Sequence, residues 1–348
     1  MELQAEMPGS LRTWEGATIP AVMCLVVMLL AVMLLAWAPM PAAAREMVIV
    51  DTDIGDDVGD AFAVALALSS PELKVLGITS AFGDTALRAR LLDRLVRDAG
   101  ATGITVAAGI RRHRRGEAAF TQRRFATAEP ARPHPDAVEF LLQEIRRHPG
   151  DVTVIAIAPL TNLGAAYERD PTTFGMLKRI VMMGGSVRRG YGAEDATRGA
   201  PDAEYNVAMD VAAARAVFNS EVPLDVMSLD ATQQKLDAAG RRDVLTACTG
   251  FADDLGTLYR EWAGATRRRT PVLYDLVAVA HAIDPTLCPA LPMHLEIDGR
   301  GVTRSRPGPA NSRVCLKADS ARLLAFYLQQ LTDGAPAGPC PVSKRGPK

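Results

Sequence analysis

Strand-like and helix-like segments alternate along most of this chain, and this alternation constrains the fold more than any other feature. The segment of residues 152–158, VTVIAIA, is apolar over almost its whole length, as expected for a strand that is buried on both faces. Other strand-like segments, separated by segments with helical periodicity, lie at residues 47–50, 73–80, 104–108, 180–183 and 223–229. This alternation predicts an α/β fold, in which helices cover both faces of an open, mostly parallel sheet.

The irregular parts of the chain are also predictable from composition. Residues 111–135 are polar, basic and contain proline, and residues 187–201 are rich in Gly and Arg, so both are predicted to be long loops. Near the end of the chain, residues 293–297 and 312–317 are predicted to form a terminal hairpin, which a helix follows up to residue 331.

A dense cluster of aspartates follows the first predicted strand. It consists of Asp51, Asp53, Asp56, Asp57 and Asp60. Open α/β sheets bind ligands beyond the carboxyl ends of their strands, which is where this cluster falls. Like charges at this density repel one another unless a positive charge lies among them, whereas helix capping accounts for only one or two of them. The cluster therefore predicts a hard divalent cation with oxygen ligands, faced by Asp53 and Asp60.

Three later segments place polar residues just beyond a predicted strand or at the start of a helix. The motif PLTN (residues 159–162) offers a backbone carbonyl as a neutral metal ligand. The motifs MMGG (182–185) and AEYNV (203–207) combine glycines with Glu204 and Asn206, which face the same side if this segment is extended. Asp275 begins an apolar helix. Taken singly, each segment also fits an ordinary helix cap or a surface loop.

Taken together and in this order, the motifs resemble those of the inosine–uridine-preferring nucleoside hydrolases. The resemblance runs from the aspartate cluster to the late Asp before an Ala-Val-Ala helix, and it covers residues 48–331. It implies a single Rossmann-like α/β domain that assembles as a homo-oligomer, a dimer or a tetramer, and that holds a Ca²⁺ ion. The implied reaction is hydrolysis of the N-glycosidic bond of a ribonucleoside, which releases free base and ribose.

The resemblance also implies roles for individual residues. The implied metal ligands are Asp53, which is also the general base, Asp60, Asp275 and the backbone carbonyl of Thr161. The implied substrate-binding residues are Asp57, Asp84, Met183, Glu204, Asn206 and Tyr274. Of the residues in these motifs, Tyr274 is the only candidate for protonating the leaving base.

The chain departs from the family pattern in ways that leave a second interpretation open. Gly59 stands where the family usually has the first of two adjacent aspartates, so Asp56 or Asp57 is expected to replace that carboxylate. Tyr274 stands where purine-preferring members often have His, and the loop at residues 187–201 lacks the family's usual Asn. The alternative is an exported protein that binds nucleosides or ribose but has lost turnover. A phosphatase of the haloacid dehalogenase type is disfavoured, because that family needs Thr or Val where Gly55 stands.

The N-terminus is predicted to be a targeting segment. Residues 19–37 are apolar throughout and about as long as a membrane span, and residues 40–44 form a small-residue cleavage-type site. Residues 1–45 are therefore either a cleaved export signal or a retained membrane anchor. In both cases the catalytic domain, residues 46–331, is expected outside the cytoplasm (periplasmic or secreted, or anchored and facing outward). Residues 332–348 are predicted to be a disordered tail.

Cysteine content and charge add two expectations about compartment and partners. Four cysteines follow the targeting segment, so a disulfide among Cys248, Cys288, Cys315 and Cys340 is compatible with export, with the pairing open. The formal net charge is -1, and the basic clusters at residues 111–115 and 267–269 contain no aromatic residues. No nucleic-acid partner is therefore predicted.

Overall fold

The computed structural model of this protein describes residues 45–192, 200–246 and 252–333, and it confirms the predicted α/β architecture. The strands are β1 (Glu46–Thr52), β2 (Leu73–Ser80), β3 (Thr105–Ala108), β4 (Val152–Ile157), β5 (Arg179–Met183), β6 (Leu224–Met227), β7 (Ala290–Ile297), β8 (Thr303–Arg306) and β9 (Ser312–Cys315). The helices are α1 (Gly59–Ser69), α2 (Thr85–Asp98), α3 (Arg123–Thr127), α4 (Ala137–Arg147), α5 (Thr161–Arg169), α6 (Pro171–Phe174), α7 (Tyr205–Met209), α8 (Val211–Phe218), α9 (Leu229–Thr232), α10 (Ala238–Thr246), α11 (Ala252–Thr266), α12 (Leu276–Ile283) and α13 (Ser320–Asp333).

The order of the strands creates a crevice at the centre of the sheet. Within the described residues the order is β3-β2-β1-β4-β5-β6-β9-β7-β8, and pairing is parallel from β3 to β9 and antiparallel beyond it. The chain moves outward from β1 to β3 and then returns to place β4 on the other side of β1. In such sheets the ligand site lies at this switch point, beyond the carboxyl ends of the two central strands.

The side chains of β4 explain why its sequence is almost continuously apolar. Ile155 and Ile157 belong to the hydrophobic core on one face of the sheet, whereas Val154 and Ala156 belong to the core on the other face. Each core is completed by helices, so neither face of this strand meets water. Because α1 is buried along most of its length, it brings its acidic first turn deep into the protein.

Two predictions about irregular regions are wrong in detail. The predicted strands near residues 293–297 and 312–317 do pair as β7 and β9, but β8 lies between them in the chain and forms the actual hairpin with β7. The sequence of β8, TRSR, is polar because the strand lies at the sheet edge, so it gave no strand signal. The predicted loop at residues 111–135 contains helix α3, which is anchored by the buried side chain of Phe125.

The predicted terminal segments fall mostly outside the described residues. The export or anchor segment is described only from residue 45, and the tail only at residues 332–333, where α13 continues. Across the described ranges, no helix is both long enough and apolar enough to cross a membrane. The domain boundaries predicted at residues 45 and 331 therefore stay predictions.

A disulfide bond joins Cys288 to Cys315 and fixes one of the pairings that the sequence left open. Cys315 ends β9, and Cys288 lies two residues before β7, so the bond ties the end of β9 to the segment that joins α12 to β7. The other two cysteines, Cys248 and Cys340, lie outside the described residues.

Loss of this disulfide is expected to lower the free energy of unfolding by about 3.5 kcal/mol, because the bond closes a loop of 27 residues and restricts the unfolded chain. Urea denaturation of the Cys288→Ala/Cys315→Ala variant measures the loss. In the parent protein a reductant should reproduce it, and the double variant should not respond to the reductant. Equal stability of parent and variant would contradict the expectation.

Candidate active site

Strand β1 delivers two aspartates to the carboxyl edge of the sheet, and their surroundings differ. Asp51 is fully buried, and its carboxylate accepts hydrogen bonds from the Thr79 hydroxyl (2.5 Å) and from Asn162 Nδ2 (2.8 Å). Burial raises the pKa of Asp51 to about 6, and these two hydrogen bonds act in the opposite direction. Asp53 lies just beyond the strand and lines a pocket. Burial raises its pKa, whereas the positive charge of Arg88 lowers it.

Asp60 and Asp275 begin two helices that pack together, and both face the same pocket as Asp53. The Thr52 hydroxyl donates a hydrogen bond to Asp60 at 2.6 Å. Burial raises the pKa of both carboxyls well above the usual value. The charges of Asp275 and Asp53 raise the pKa of Asp60 further, and those of Asp53 and Asp57 do the same for Asp275. These three carboxylates therefore lie close enough for mutual repulsion, and a cation among them would relieve it.

The structure separates Asp56 from Asp57, whose roles the sequence left open. Both line the pocket, but Asp56 forms a buried ion pair with Arg88 of α2, with 2.8 Å between Oδ2 and Nη2. Asp57 is less buried, and its Oδ1 accepts hydrogen bonds from the backbone N–H groups of Val58 (2.5 Å) and Gly59 (3.3 Å). Asp57 is thus the carboxylate of this turn that a substrate could reach, whereas the carboxylate of Asp56 is paired with Arg88.

Gly59 has a packing role that explains the departure at this position. A Cβ atom at residue 59 would lie 3.0 Å from Asp275 Oδ2 and 3.3 Å from the carbonyl oxygen of Val272. Both distances are shorter than an ordinary van der Waals contact, so an aspartate would be crowded here. Glycine lets Asp275 approach the start of α1, and Asp57 supplies a carboxylate to the pocket from two residues earlier.

Met183, Glu204 and Asn206 meet at the carboxyl end of β5 and line the same pocket. Asn206 Nδ2 donates a hydrogen bond to the backbone carbonyl of Met183 at 3.1 Å. The prediction that Glu204 and Asn206 share one side of an extended segment is wrong, because Glu204 is the N-cap of α7 and Asn206 lies in its first turn. Their side chains nevertheless reach one pocket, since the helix begins there.

Thr161 does not reach the pocket in the way that the sequence suggested. It begins α5, its hydroxyl donates a hydrogen bond to Asp210 Oδ2 at 2.9 Å, and it is absent from the described residues that line the pocket. Ile157, the last residue of β4, lines the pocket instead. It pairs with Thr52 of β1, so the register of two parallel strands brings its backbone to the aspartates. The signal available in the sequence was the end of the strand rather than the motif after it.

Asp84 also lies elsewhere. It is the N-cap of α2, where its Oδ1 accepts a hydrogen bond from the backbone N–H of Leu87 at 3.4 Å. It does not belong to the described pocket lining, so the structure gives no support for its predicted role beside the ribose. The same helix contributes Arg88 instead, which reaches Asp56 from one turn further along.

Three tyrosines form much of the remaining pocket wall, and the sequence pointed to only one of them, Tyr274. Burial raises the pKa of Tyr274 to about 12, so its hydroxyl stays protonated at neutral pH. Tyr191 comes from the predicted loop after β5, and its ring meets that of Tyr274 edge to face at a centroid distance of 6.1 Å. The hydroxyl of Tyr205 accepts a hydrogen bond from the backbone N–H of Ala118 at 3.0 Å. Burial raises the pKa of both additional tyrosines.

The resulting pocket has a volume of about 180 Å³ and is open to solvent. Six of the described residues that line it are carboxylates, and none is Lys or Arg. Oxygen donors of this kind suit a hard cation such as Ca²⁺. In the described part of the chain, no three His, Cys, Asp or Glu side chains already stand as a closed set of metal ligands. The chemistry of the donors and their mutual repulsion fit a divalent ion, and binding would draw the carboxylates together.

Comparison with known sequences relates this chain to one family. The family model described as inosine-uridine preferring nucleoside hydrolase matches residues 48–325. Uridine nucleosidase 1 of Arabidopsis thaliana is 32% identical over 237 residues, which cover 63% of this chain and 68% of that protein. The pyrimidine-specific ribonucleoside hydrolase RihB of Escherichia coli O1:K1 is 29% identical over 271 residues, 73% of this chain and 83% of that protein.

Comparison with solved structures gives the same fold. A plant nucleoside hydrolase superposes with a TM-score of 0.71 at 25% identity, covering 83% of this chain and 99% of that one. A purine-preferring ribonucleoside hydrolase from Gardnerella vaginalis superposes with a TM-score of 0.69 at 23% identity, covering 83% and 98%. The fold of this chain is thus that of a known architecture.

Proposed function

Because this chain belongs to the inosine-uridine preferring nucleoside hydrolase family and is an N-ribosyl hydrolase, we propose that it uses Ca²⁺ to hydrolyse the N-glycosidic bond of ribonucleosides. The products are free base and ribose. The observation that carries the proposal is the convergence of Asp53, Asp60 and Asp275 in one pocket with Glu204 and Asn206. The first group suits a hard cation, and the second suits the hydroxyl groups of a sugar.

In this proposal the ion is held by the carboxylates of Asp53, Asp60 and Asp275, together with the backbone carbonyl of Ile157 in place of that of Thr161. When bound, Ca²⁺ supplies a positive charge that lowers the pKa of a water molecule and chelates vicinal sugar hydroxyls. Burial and repulsion from neighbouring carboxylates both raise the pKa of Asp60 and Asp275, and the repulsion supports this assignment. A cation in the pocket would return these carboxyls to their ionised form.

The other steps of the reaction depend on the side chains that line the pocket. Asp53 acts as the general base and accepts the proton of the attacking water. Asp57, Met183, Glu204 and Asn206 hold the ribose in place, so that the bond to the base is oriented for cleavage. Tyr274 forms part of the wall on the side of the base, and its high pKa keeps a hydroxyl proton available there. No carboxylic acid is required to protonate the leaving base, unlike in the usual two-carboxylate glycosidases.

Export from the cytoplasm is part of the proposal. The support is the disulfide between Cys288 and Cys315, because such bonds persist mainly in oxidising compartments. We propose a periplasmic or secreted enzyme, or one anchored outside the cytoplasm through residues 19–37. Fractionation of cells that express the full chain, with sequencing of the mature N-terminus, separates these cases. A homo-oligomer, dimer or tetramer, is also proposed from the family resemblance, and light scattering of the purified protein tests it.

A nucleoside panel tests the function directly. The purified protein is incubated with Ca²⁺ and uridine, cytidine, inosine, adenosine or guanosine, and free base and reducing sugar are measured. We expect equal amounts of both products from at least one nucleoside, and uridine is the first to test because relatives are named for that substrate. Binding of a nucleoside by calorimetry without release of base would favour the alternative of a binding protein that has lost turnover.

Removal of the metal is expected to abolish hydrolysis and to make stability depend on pH. In the metal-free protein Asp60 and Asp275 have folded-state pKa values above those of the unfolded chain, so their contribution to stability is lost as pH rises through the folded values. Thermal unfolding in a chelator should therefore show a lower Tm at pH 8 than at pH 6. Adding Ca²⁺ should raise Tm more at pH 8 than at pH 6, because fewer protons compete with the ion for these carboxylates. An enzyme that keeps its activity and Tm in the chelator would contradict the metal assignment.

A further inference from the structure

Arg88 holds the turn that carries the aspartates from outside the pocket. It belongs to α2, is buried, and is not among the described residues that line the pocket. Besides its ion pair with Asp56, its Nη1 donates hydrogen bonds to the backbone carbonyl oxygens of Asp53 and Ile54, and its Nε donates one to that of Phe82 at 2.8 Å. One side chain thus joins α2 to the turn after β1 and to the segment after β2.

The hydrogen bond to the carbonyl of Asp53 bears on the direction of the Asp53 side chain. Each peptide group is planar, so the two peptide groups that flank a Cα atom set the direction of its Cβ. In the group before Asp53, the carbonyl of Thr52 accepts a hydrogen bond from the N–H of Ala81 at 2.8 Å. In the group after it, the N–H of Ile54 donates to the Thr52 hydroxyl at 3.1 Å and the carbonyl accepts from Arg88. Within the described ranges, Arg88 is the only hydrogen-bond donor to that carbonyl.

Phe120 covers the turn on a further side. The guanidinium of Arg88 lies over its ring, 5.2 Å from the centroid. The same ring packs against Gly55, where φ is +123° and where an added Cβ atom would overlap Cζ of Phe120. Glycine at this position lets the ring lie against the turn, so the hydrogen bonds of Arg88 are shielded from water and electrostatically stronger than exposed ones.

The charge of Arg88 and its hydrogen bonds predict opposite effects on a bound cation. The charge interacts with Asp56, Asp53 and Asp60, and a fixed positive charge so near the site repels Ca²⁺. The hydrogen bonds act in the other direction, because a ligand that is already held in position binds a metal more tightly than one that must first be ordered. Calcium affinity therefore distinguishes the two effects.

On the basis of the proposed function, we propose that Arg88 is a positioning residue that fixes the backbone of Asp53 and thereby aims its carboxylate at the metal and the attacking water. Arg88 acts through the peptide group of Asp53 and through Asp56, and it contacts neither the ion nor the substrate. Its hydrogen bonds outweigh its charge, so the site binds Ca²⁺ more tightly with Arg88 than without it.

Two variants separate the hydrogen bonds from the charge. Arg88→Lys keeps the positive charge but lacks the planar fork that reaches two carbonyl oxygens and a carboxylate together. Arg88→Met/Asp56→Asn removes both members of the ion pair and leaves the net charge unchanged. The Kd for Ca²⁺ is measured by calorimetry without substrate, and kcat and KM for uridine are measured at saturating Ca²⁺. We expect Kd to rise and kcat to fall by about 10-fold or more in both variants, with KM nearly unchanged.

Arg97→Met is the matched control, because Arg97 lies on the same helix, is exposed and pairs with Glu129. It should leave Kd and kcat unchanged. Thermal unfolding in a chelator establishes which variants are folded at the assay temperature, and Arg88→Lys is the milder of the two because it keeps a cation beside Asp56. A role in stability alone would lower Tm and leave the Kd of the folded variants unchanged.

The outcomes separate this proposal from the proposed function. An unchanged or lower Kd for Ca²⁺ in the folded variants would overturn the role of Arg88, while hydrolysis by the parent would stand. If the parent binds Ca²⁺ but releases no base, the hydrolytic function is wrong, and the Kd values still decide the role of Arg88. If the parent releases base without binding Ca²⁺, the metal assignment and this proposal are both wrong. A parent that neither binds Ca²⁺ nor releases base contradicts the proposed function and this proposal together.

Discussion

The Asp53→Ala variant is expected to lower kcat for nucleoside hydrolysis by at least ~1,000-fold, because it removes the general base and one metal ligand together. The fold should survive this change. Burial raises the pKa of Asp53, so its ionised form costs stability at neutral pH, and its removal relieves repulsion with Asp60 and Asp275. In a chelator, the Tm of the variant should therefore equal or exceed that of the parent enzyme.

The measurement combines turnover with thermal unfolding, each with and without Ca²⁺. Asp151→Ala is the matched control, because Asp151 is exposed in the turn before β4 and should affect neither quantity. Calcium should raise the Tm of the parent more than that of Asp53→Ala. Near-normal turnover of the variant on every nucleoside would show that another group is the base.

The Arg88→Met variant is expected to lose about 3–5 kcal/mol of unfolding free energy, the usual cost of breaking a buried ion pair from one side. Arg88 is 3% exposed, and besides Asp56 it donates hydrogen bonds to the carbonyl oxygens of Ile54 (2.9 Å) and Phe82 (2.8 Å). Its loss leaves the Asp56 carboxylate buried without a partner. Because burial already raises the pKa of Asp56 and Arg88 lowers it, the loss of stability should grow as pH rises.

Two further variants test the cause of that loss. Arg97→Met changes an arginine of the same helix that is 53% exposed and paired with Glu129, and it should cost less than ~1 kcal/mol. Asp56→Asn in the Arg88→Met background removes the unpaired charge and should recover part of the stability, most clearly at high pH. A loss that does not change with pH would assign the effect to the carbonyl hydrogen bonds instead.

Most of the residues proposed to bind the metal and the ribose can be predicted from the sequence, because they lie in short motifs. Asp53 and Asp60 flank a turn between a buried strand and a buried helix, and Asp275 begins another buried helix, so the pocket position of each follows from local structure. Glu204 also lies in the pocket, although it does so as the N-cap of a helix and not in an extended segment. A side chain at this position reaches the pocket whether its segment is the end of a strand or the start of a helix.

The errors concern residues whose position depends on distant parts of the chain. The PLTN motif indicates Thr161, but the register between β1 and β4 brings Ile157 to the aspartates. Asp84 carries a suitable side chain, but it is used to cap α2. Tyr191 lay in a segment that was predicted only as a loop, and its place in the pocket depends on hydrogen bonds with Glu204 and Tyr205.

The sequence by itself determined the fold class, the family and the acidic character of the site, because apolar periodicity and side-chain chemistry are properties of short segments. Tertiary structure alone decided which aspartate is free and which is paired, since Asp56 meets Arg88 from a helix 32 residues away. It also decided that Gly59 leaves room for Asp275, a contact between the starts of α1 and α12. Such contacts join segments that are remote in the chain, so they cannot be predicted from the local sequence pattern of either segment.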